Sequence, residues 1–314
     1  MRKAVRLAVW VLVVLLFVVT LVNHTWAKLP PMRADDGAFI TLAGKEIHYV
    51  DQPGNGTPVV MIHGLPGTHE DFDPVVPKLA GLRVISVDRP GFGWSNGGWL
   101  PYQDQIDVVH ELVDRLELGP VVVVGHSFGG TVALGLARRY PRDVAKLVLV
   151  APGAGGMRSS LMDVLQARYV QFSHLPVIRT AIDAVAGDVT KRMTATAGAE
   201  EAFAPAPVDA AYERRLLAVT MTPGNLDAFA ADQLEFDATA QWVDDNVGQI
   251  TVPSVIIAAE QDRLVGMEHV RTLAATLPGT ELVTVDGGHM IPYSHPDVVA
   301  AEVREATAAE PAGR

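Results

Sequence analysis

The 314-residue chain contains no cysteine. That absence excludes a disulfide framework, thiolate–zinc sites, iron–sulfur clusters and a cysteine nucleophile. It does not decide the compartment, because a core of this size folds without bridges in either redox state. Basic charge is also short: 25 Lys and Arg stand against 36 Asp and Glu, a formal net charge of −11. A nucleic-acid partner, which calls for a basic face, is thereby disfavoured. Internal repeats and low-complexity tracts are missing as well. Apolar residues are plentiful at 49%, so intrinsic disorder is not expected.

Part of that apolar material is concentrated at one end. Arg2, Lys3 and Arg6 precede an apolar run from Leu7 to Val22 that only Thr20 interrupts, and Trp26 follows where an interfacial aromatic would sit. Residues 1–27 read as an uncleaved signal anchor, with the basic end in the cytoplasm and the body on the periplasmic or extracellular side. The competing reading is a signal peptide cleaved after Thr25-Trp26-Ala27, which would give a secreted protein. Residues 28–37, with two prolines and two aspartates, read as a tether.

The body shows a strand-and-helix alternation. Phe39–Leu42 and Glu46–Val50 form a hairpin pattern around Gly44. Six nearly continuous, β-branched runs follow: 58–62, 83–87, 121–124, 145–150, 254–258 and 281–285. Such runs suit parallel strands buried on both faces, and the intervals leave room for helices, so a doubly wound α/β sheet is expected. Residues 152–246 lack strand patterning and read as helices inserted between two strands, a lid over strand ends. The expected division is a core of 38–151 and 247–314 carrying that lid.

The strongest chemical signal is Gly125-His126-Ser127-Phe128-Gly129, directly after four valines and directly before a helical stretch ending at Tyr140-Pro141. In a strand–turn–helix setting this pattern presents a serine on a sharp turn, with Gly125 and Gly129 removing side chains that would collide. A serine hydroxyl needs a base held by an acid. Asp262, in the loop after run 254–258, and His289, after Gly287-Gly288 in the loop beyond run 281–285, supply them in the expected chain order. Glu260 and Asp286 are the competing carboxylates. The loop His63-Gly64-Leu65-Pro66-Gly67 offers the Leu65 N–H as one oxyanion donor, since Pro66 has none; the Phe128 N–H is the other. Among the remaining histidines, His63 and His126 read as loop-fixing groups. His24, His48, His69, His110, His174 and His269 read as surface or structural, and Asp88 as structural.

These motifs, together with Asp88-Arg89-Pro90-Gly91-Phe92-Gly93-Trp94-Ser95, resemble the α/β-hydrolase superfamily over roughly residues 39–308. The resemblance implies an eight-stranded-type, mostly parallel sheet. Within the superfamily the chain looks like the branch that holds epoxide hydrolases, haloalkane dehalogenases, cofactor-free haloperoxidases and carbon–carbon bond hydrolases. Those epoxide hydrolases and dehalogenases carry aspartate at the nucleophile position, where this chain has Ser127. The implied reaction is therefore ester-type cleavage through an acyl-serine, with no metal or organic cofactor. A carbon–carbon hydrolase, which would use a carboxylate-binding Arg179 or Arg214, a perhydrolase and a non-catalytic ligand receptor are the alternatives. Trp94, Met157, Trp242 and Met290 are candidate contacts to an apolar, ester-like small molecule, and the lid residues Met162, Phe172, Met193, Met221 and Phe229 suit the same substrate.

Overall fold

In the computed structural model, the described residues are 2–25, 37–153, 183–220, 222 and 224–308. The expected tether, the Trp26 anchor, the cleavage site beyond Thr25, Met157, Met162, Phe172, His174, Arg179 and Met221 lie outside them.

Eight strands form one sheet: β1 (Ala38–Leu42), β2 (Lys45–Gln52), β3 (Asn55–Ile62), β4 (Leu82–Val87), β5 (Val121–His126), β6 (Val144–Val150), β7 (Ser254–Ala259) and β8 (Glu281–Val285). Their spatial order is β1-β2-β4-β3-β5-β6-β7-β8. The β1–β2 and β2–β4 pairs are antiparallel and every other pair is parallel. Val121 and Val123 face one hydrophobic cluster while Val122 and Val124 face the other, the period-two alternation of a sheet covered on both sides. All four are fully buried, and each such valine contributes about 1.5–3 kcal/mol relative to exposure.

Helices α2 (Tyr102–Arg115) and α3 (Phe128–Arg139) cover the first face. Among the described residues, three further α-helices lie between β6 and β7: α4 (Asp188–Phe203), α5 (Ala210–Thr220) and α6 (Asn225–Asn246). After β7 come α7 (Met267–Thr276), the single turn α8 (Ile291–Ser294) and α9 (Pro296–Ala308), whose Val299 and Val303 pack on the second face. The parallel strands put the loops after β3, β4, β5, β7 and β8 at one edge, where such sheets bind ligands.

Helix α1 (Arg2–Thr25) stands outside the sheet, with Leu7, Trp10, Phe17 and Leu21 among its exposed apolar side chains. Its segment Val5–Thr25 is long and apolar enough to cross a membrane. At its far end Asn23 is buried against the insertion. There Asn23 Oδ1 accepts the Asp188 and Val189 N–H groups at 2.8 and 3.1 Å, and Nδ2 donates to the Ala184 carbonyl. Gly187, the residue at the cap position of α4, has no side chain to offer. Asn23 thus does from another segment what an N-cap residue does from its own.

Candidate active site

Ser127 sits between β5 and α3 with φ 53° and ψ −122°, a strained backbone for a non-glycine residue. The turn closes because its neighbours are glycines. A Cβ at Gly129 would overlap the Ile62 carbonyl, and one at Gly125 would overlap the Gly129 carbonyl. Gly64 allows the β3 loop to approach: a Cβ there would lie 2.8 Å from Ser127 Cβ. Ser127 Oγ is buried and takes no hydrogen bond among the described residues.

The loop after β8 carries His289 and the loop after β7 carries Asp262. His289 Nδ1 is 2.8 Å from Asp262 Oδ2. Asp262 Oδ1 accepts the Leu264 and Val265 amides at 2.8 and 2.9 Å. Burial alone would raise the Asp262 carboxyl, but the neighbouring His289, its hydrogen bond and those two amides hold it below the ordinary aspartate value. Neither competing carboxylate reaches the ring: Gln261, between Glu260 and Asp262, instead accepts the Gly287 amide through its side chain. His289 and Ser127 are not hydrogen-bonded to each other, but both line one cavity of about 200 Å³.

Leu65 lines the same cavity, and its N–H makes no backbone hydrogen bond among the described residues. The Phe128 N–H opens α3, where helix geometry leaves the first amides without intrahelical partners. His126 Nε2 lies 3.1 Å from the His289 carbonyl oxygen, to which it donates, bracing the histidine loop. Burial, with the nearby His289, pushes the His126 imidazole down to about 3, so the ring is neutral.

The cavity wall is mostly apolar. Core loops give Leu65, Pro66, Phe92, Leu264 and Met290; α4 gives Ala195, Ala199 and Ala202; α5 and α6 give Leu216, Val219, Leu226 and Phe229. Glu201 is the one carboxylate among the described lining residues, and no Lys or Arg joins it there. Two expected substrate contacts lie elsewhere. The Trp94 amide donates to Asp88 in a loop tightened around that carboxylate, and Trp242 packs edge-on against Tyr102 with 5.4 Å between ring centroids. Met193 is exposed, because it falls on the outer side of α4. Arg214 is also exposed and is not in the cavity wall.

One cluster was not apparent from sequence spacing. Asp88, fully buried, accepts His69 N and Nδ1 on Oδ1 at 2.7 and 3.0 Å, and His48 Nδ1 and Trp94 N on Oδ2, both at 2.9 Å. The three side chains present ligand atoms within 4.8 Å of one another. Both carboxylate oxygens are already engaged by donors, so the arrangement suits a structural hub better than a metal. The antiparallel β2–β4 pairing, which brings His48 to the end of β4, assembles it.

A family model described as the alpha/beta hydrolase fold matches residues 57–296, and the chain belongs to that family. It is 31% identical over 251 residues to a 2-hydroxy-6-oxo-2,4-heptadienoate hydrolase of Pseudomonas putida, covering 76% of this chain and 83% of the relative. A poly(3-hydroxyalkanoate) depolymerase of Ectopseudomonas oleovorans is 26% identical over 273 residues, 83% of this chain and 88% of the relative. Among solved structures, an esterase from Exiguobacterium antarcticum superposes with a TM-score of 0.71 at 21% identity, over 86% of this chain and 99% of that one. The chain is a hydrolase of the α/β fold.

Proposed function

We propose that the protein hydrolyses apolar carboxylic esters through an acyl-serine intermediate. The observation that carries this reading is a strained Ser127 and an Asp262-bound His289 opening into one apolar cavity. Ser127 Oγ attacks the carbonyl carbon while His289 Nε2 takes its proton; the oxyanion is held by the Leu65 and Phe128 N–H groups. His289 returns the proton to the leaving alkoxide, then draws one from a water that attacks the acyl carbon, and gives that proton to Ser127 Oγ as the acid departs. Asp262 holds Nδ1–H and so leaves Nε2 free to accept. Nothing in this sequence requires a metal.

The carbon–carbon hydrolase alternative concerns substrates with a carboxylate, as the name of the Pseudomonas relative indicates. The described cavity wall offers such a group no cation and one carboxylate, Glu201. That charge pattern favours an uncharged ester.

We propose further that the protein is held at a membrane by its N-terminal helix. The cations Arg2, Lys3 and Arg6 precede the span, which favours a cytoplasmic N-terminus and a body outside. Capping of α4 by Asn23 supports retention of the segment, because cleavage after Ala27 would remove a group that the insertion uses. Intact-mass measurement on purified membranes should find the N-terminal segment present; a mature chain starting at Lys28 would overturn the anchor.

Activity is tested with p-nitrophenyl esters of increasing acyl length and a fluorophosphonate probe. Turnover and labelling should both vanish in Ser127→Ala. Full retention of either rejects the acyl-serine mechanism.

A further inference from the structure

The Leu65 N–H belongs to a peptide unit whose other end is the Gly64 carbonyl, and that carbonyl is held with unusual thoroughness. Arg89 Nη2 donates to Gly64 O at 2.9 Å, and His63 Nδ1 lies at the same distance from it. His63 Nε2 accepts the Arg89 backbone N–H at 3.0 Å, so the proton of this neutral ring is on Nδ1 and is also given to Gly64 O. Burial and the adjacent Arg89 push the His63 imidazole down to about 3, which keeps that tautomer in place.

Arg89 is itself fixed. Its side chain is 2% exposed, and Nη1 donates to Asp232 Oδ2 at 2.7 Å and to Gln105 Oε1 at 2.8 Å. Asp232, on α6, is 1% exposed and accepts Trp99 Nε1 and Gln105 Nε2 on its other oxygen at 2.6 and 2.8 Å. The guanidinium lies over the rings of Phe92 and Phe128, 4.3 and 4.7 Å from their centroids. A buried arginine that only needed to be neutralised would be satisfied by Asp232. This one also reaches across to a single peptide oxygen beside the nucleophile.

The peptide bond is a resonance dipole, so a cationic donor on its oxygen draws electron density from its nitrogen and strengthens the N–H as a donor. With Arg89 and Gly64 both buried, water screens such polarisation little. We infer that Arg89, held by Asp232 of the insertion, is a positioning residue for the oxyanion hole: it orients and polarises the Gly64–Leu65 peptide. This rests on the acyl-serine reading above. It makes α6 a participant in the chemical step, through Asp232, as well as a wall of the cavity.

The test compares wild type, Arg89→Met and Asp232→Asn on one short-chain ester, together with ¹⁹F NMR of an aryl trifluoromethyl ketone. The ketone adds Ser127 Oγ at its carbonyl carbon, and the pKa of the resulting hemiketal hydroxyl reports how well the oxyanion is stabilised. Loss of a whole oxyanion donor costs about 10²–10³ in kcat. A weakened donor should cost part of that: about tenfold in kcat for Arg89→Met, with KM within about twofold, and a hemiketal pKa raised by about one unit. Asp232→Asn should move both readouts in the same direction by less. A purely structural arginine would lower the melting temperature and leave the hemiketal pKa where it was; that result overturns the inference. Should Arg89→Met not fold, Asp232→Asn decides alone, an unchanged kcat and hemiketal pKa rejecting the proposal. A wild-type enzyme that forms no hemiketal would instead overturn the acyl-serine reading, and the inference with it.

Discussion

At the scale of single residues, the site depends on which atom of each ring or carboxylate holds a proton. Asp262 uses one oxygen for two backbone amides and the other for His289 Nδ1. Replacing it with Asn keeps the volume but presents an N–H to Nδ1, which drives the imidazole proton to Nε2 and removes the base. Asp262→Asn should therefore lower kcat by about 10³–10⁴ with KM changed little. Steady-state kinetics on a p-nitrophenyl ester checks it, and a loss under tenfold would point to Glu260 or Asp286 as the orienting acid. In the sequence Ser127 and His289 stand beside glycines that announce sharp turns after a strand, whereas Asp262 has no glycine beside it and is marked only by its place after β7. The Asp88 cluster was not, since His48 and His69 lie 40 and 19 residues from it and meet it only through sheet pairing. Arg89 was read as part of a motif and not as a group acting on Gly64, because its partner Asp232 is 143 residues away on a helix of unmarked register.

At the scale of elements, the strands were the readable part. Buried on both faces, β5 opens with four adjacent valines and β6 ends on Leu147–Val150, short apolar runs bounded by loops that suit strands of a covered sheet. The insertion was legible only as helical. Helices α4 and α6 carry apolar residues on more than one side, because each packs against α5 and also lines the cavity, so their sequences do not point to a single face. The cap of α4 was invisible for a different reason: it comes from Asn23, in a segment whose composition speaks only of membranes. A cap of this kind is worth about 1 kcal/mol, or about a fivefold shift in the local opening equilibrium. Asn23→Ala should then speed limited proteolysis within residues 183–220 about fivefold in the intact, detergent-solubilised protein. Asn23→Asp keeps the acceptor and should stay within about twofold of wild type. Equal cleavage rates in all three would mean that α4 does not depend on α1.

At the scale of the whole molecule, two fully buried neutral imidazoles weigh heavily on how stability responds to acid. His63 and His126 are both pushed down from the ordinary 6.5 to about 3, chiefly by burial. Their folded-state values lie below their unfolded ones, so their contribution is fully present above about 6.5. It is lost as the pH falls toward about 3, because the unfolded chain takes up protons that the native state refuses. Well below 6.5 each group costs about 1.4 kcal/mol of stability per pH unit. Asp88 and Asp262 are also held below their ordinary values, but aspartates of that kind begin to erode stability only near 3.8. Between pH 6 and pH 4.5 the depressed histidines, His269 among them, lower stability, while Glu70 and Asp71, raised above their ordinary values chiefly by burial, oppose part of that loss. Urea midpoints measured across that interval should fall as the pH is lowered. His126→Asn, which removes one of these proton acceptors and can still donate toward the His289 carbonyl, should start less stable at pH 7 and show a shallower loss of stability as the pH falls. Parallel pH slopes for the two proteins would show that His126 is already charged in the folded state. An imidazolium at that position, 4.9 Å from the His289 ring, would oppose the charge that His289 gains when it takes the proton of Ser127. The slope thus tests the neutral setting that the proposed mechanism requires of the site.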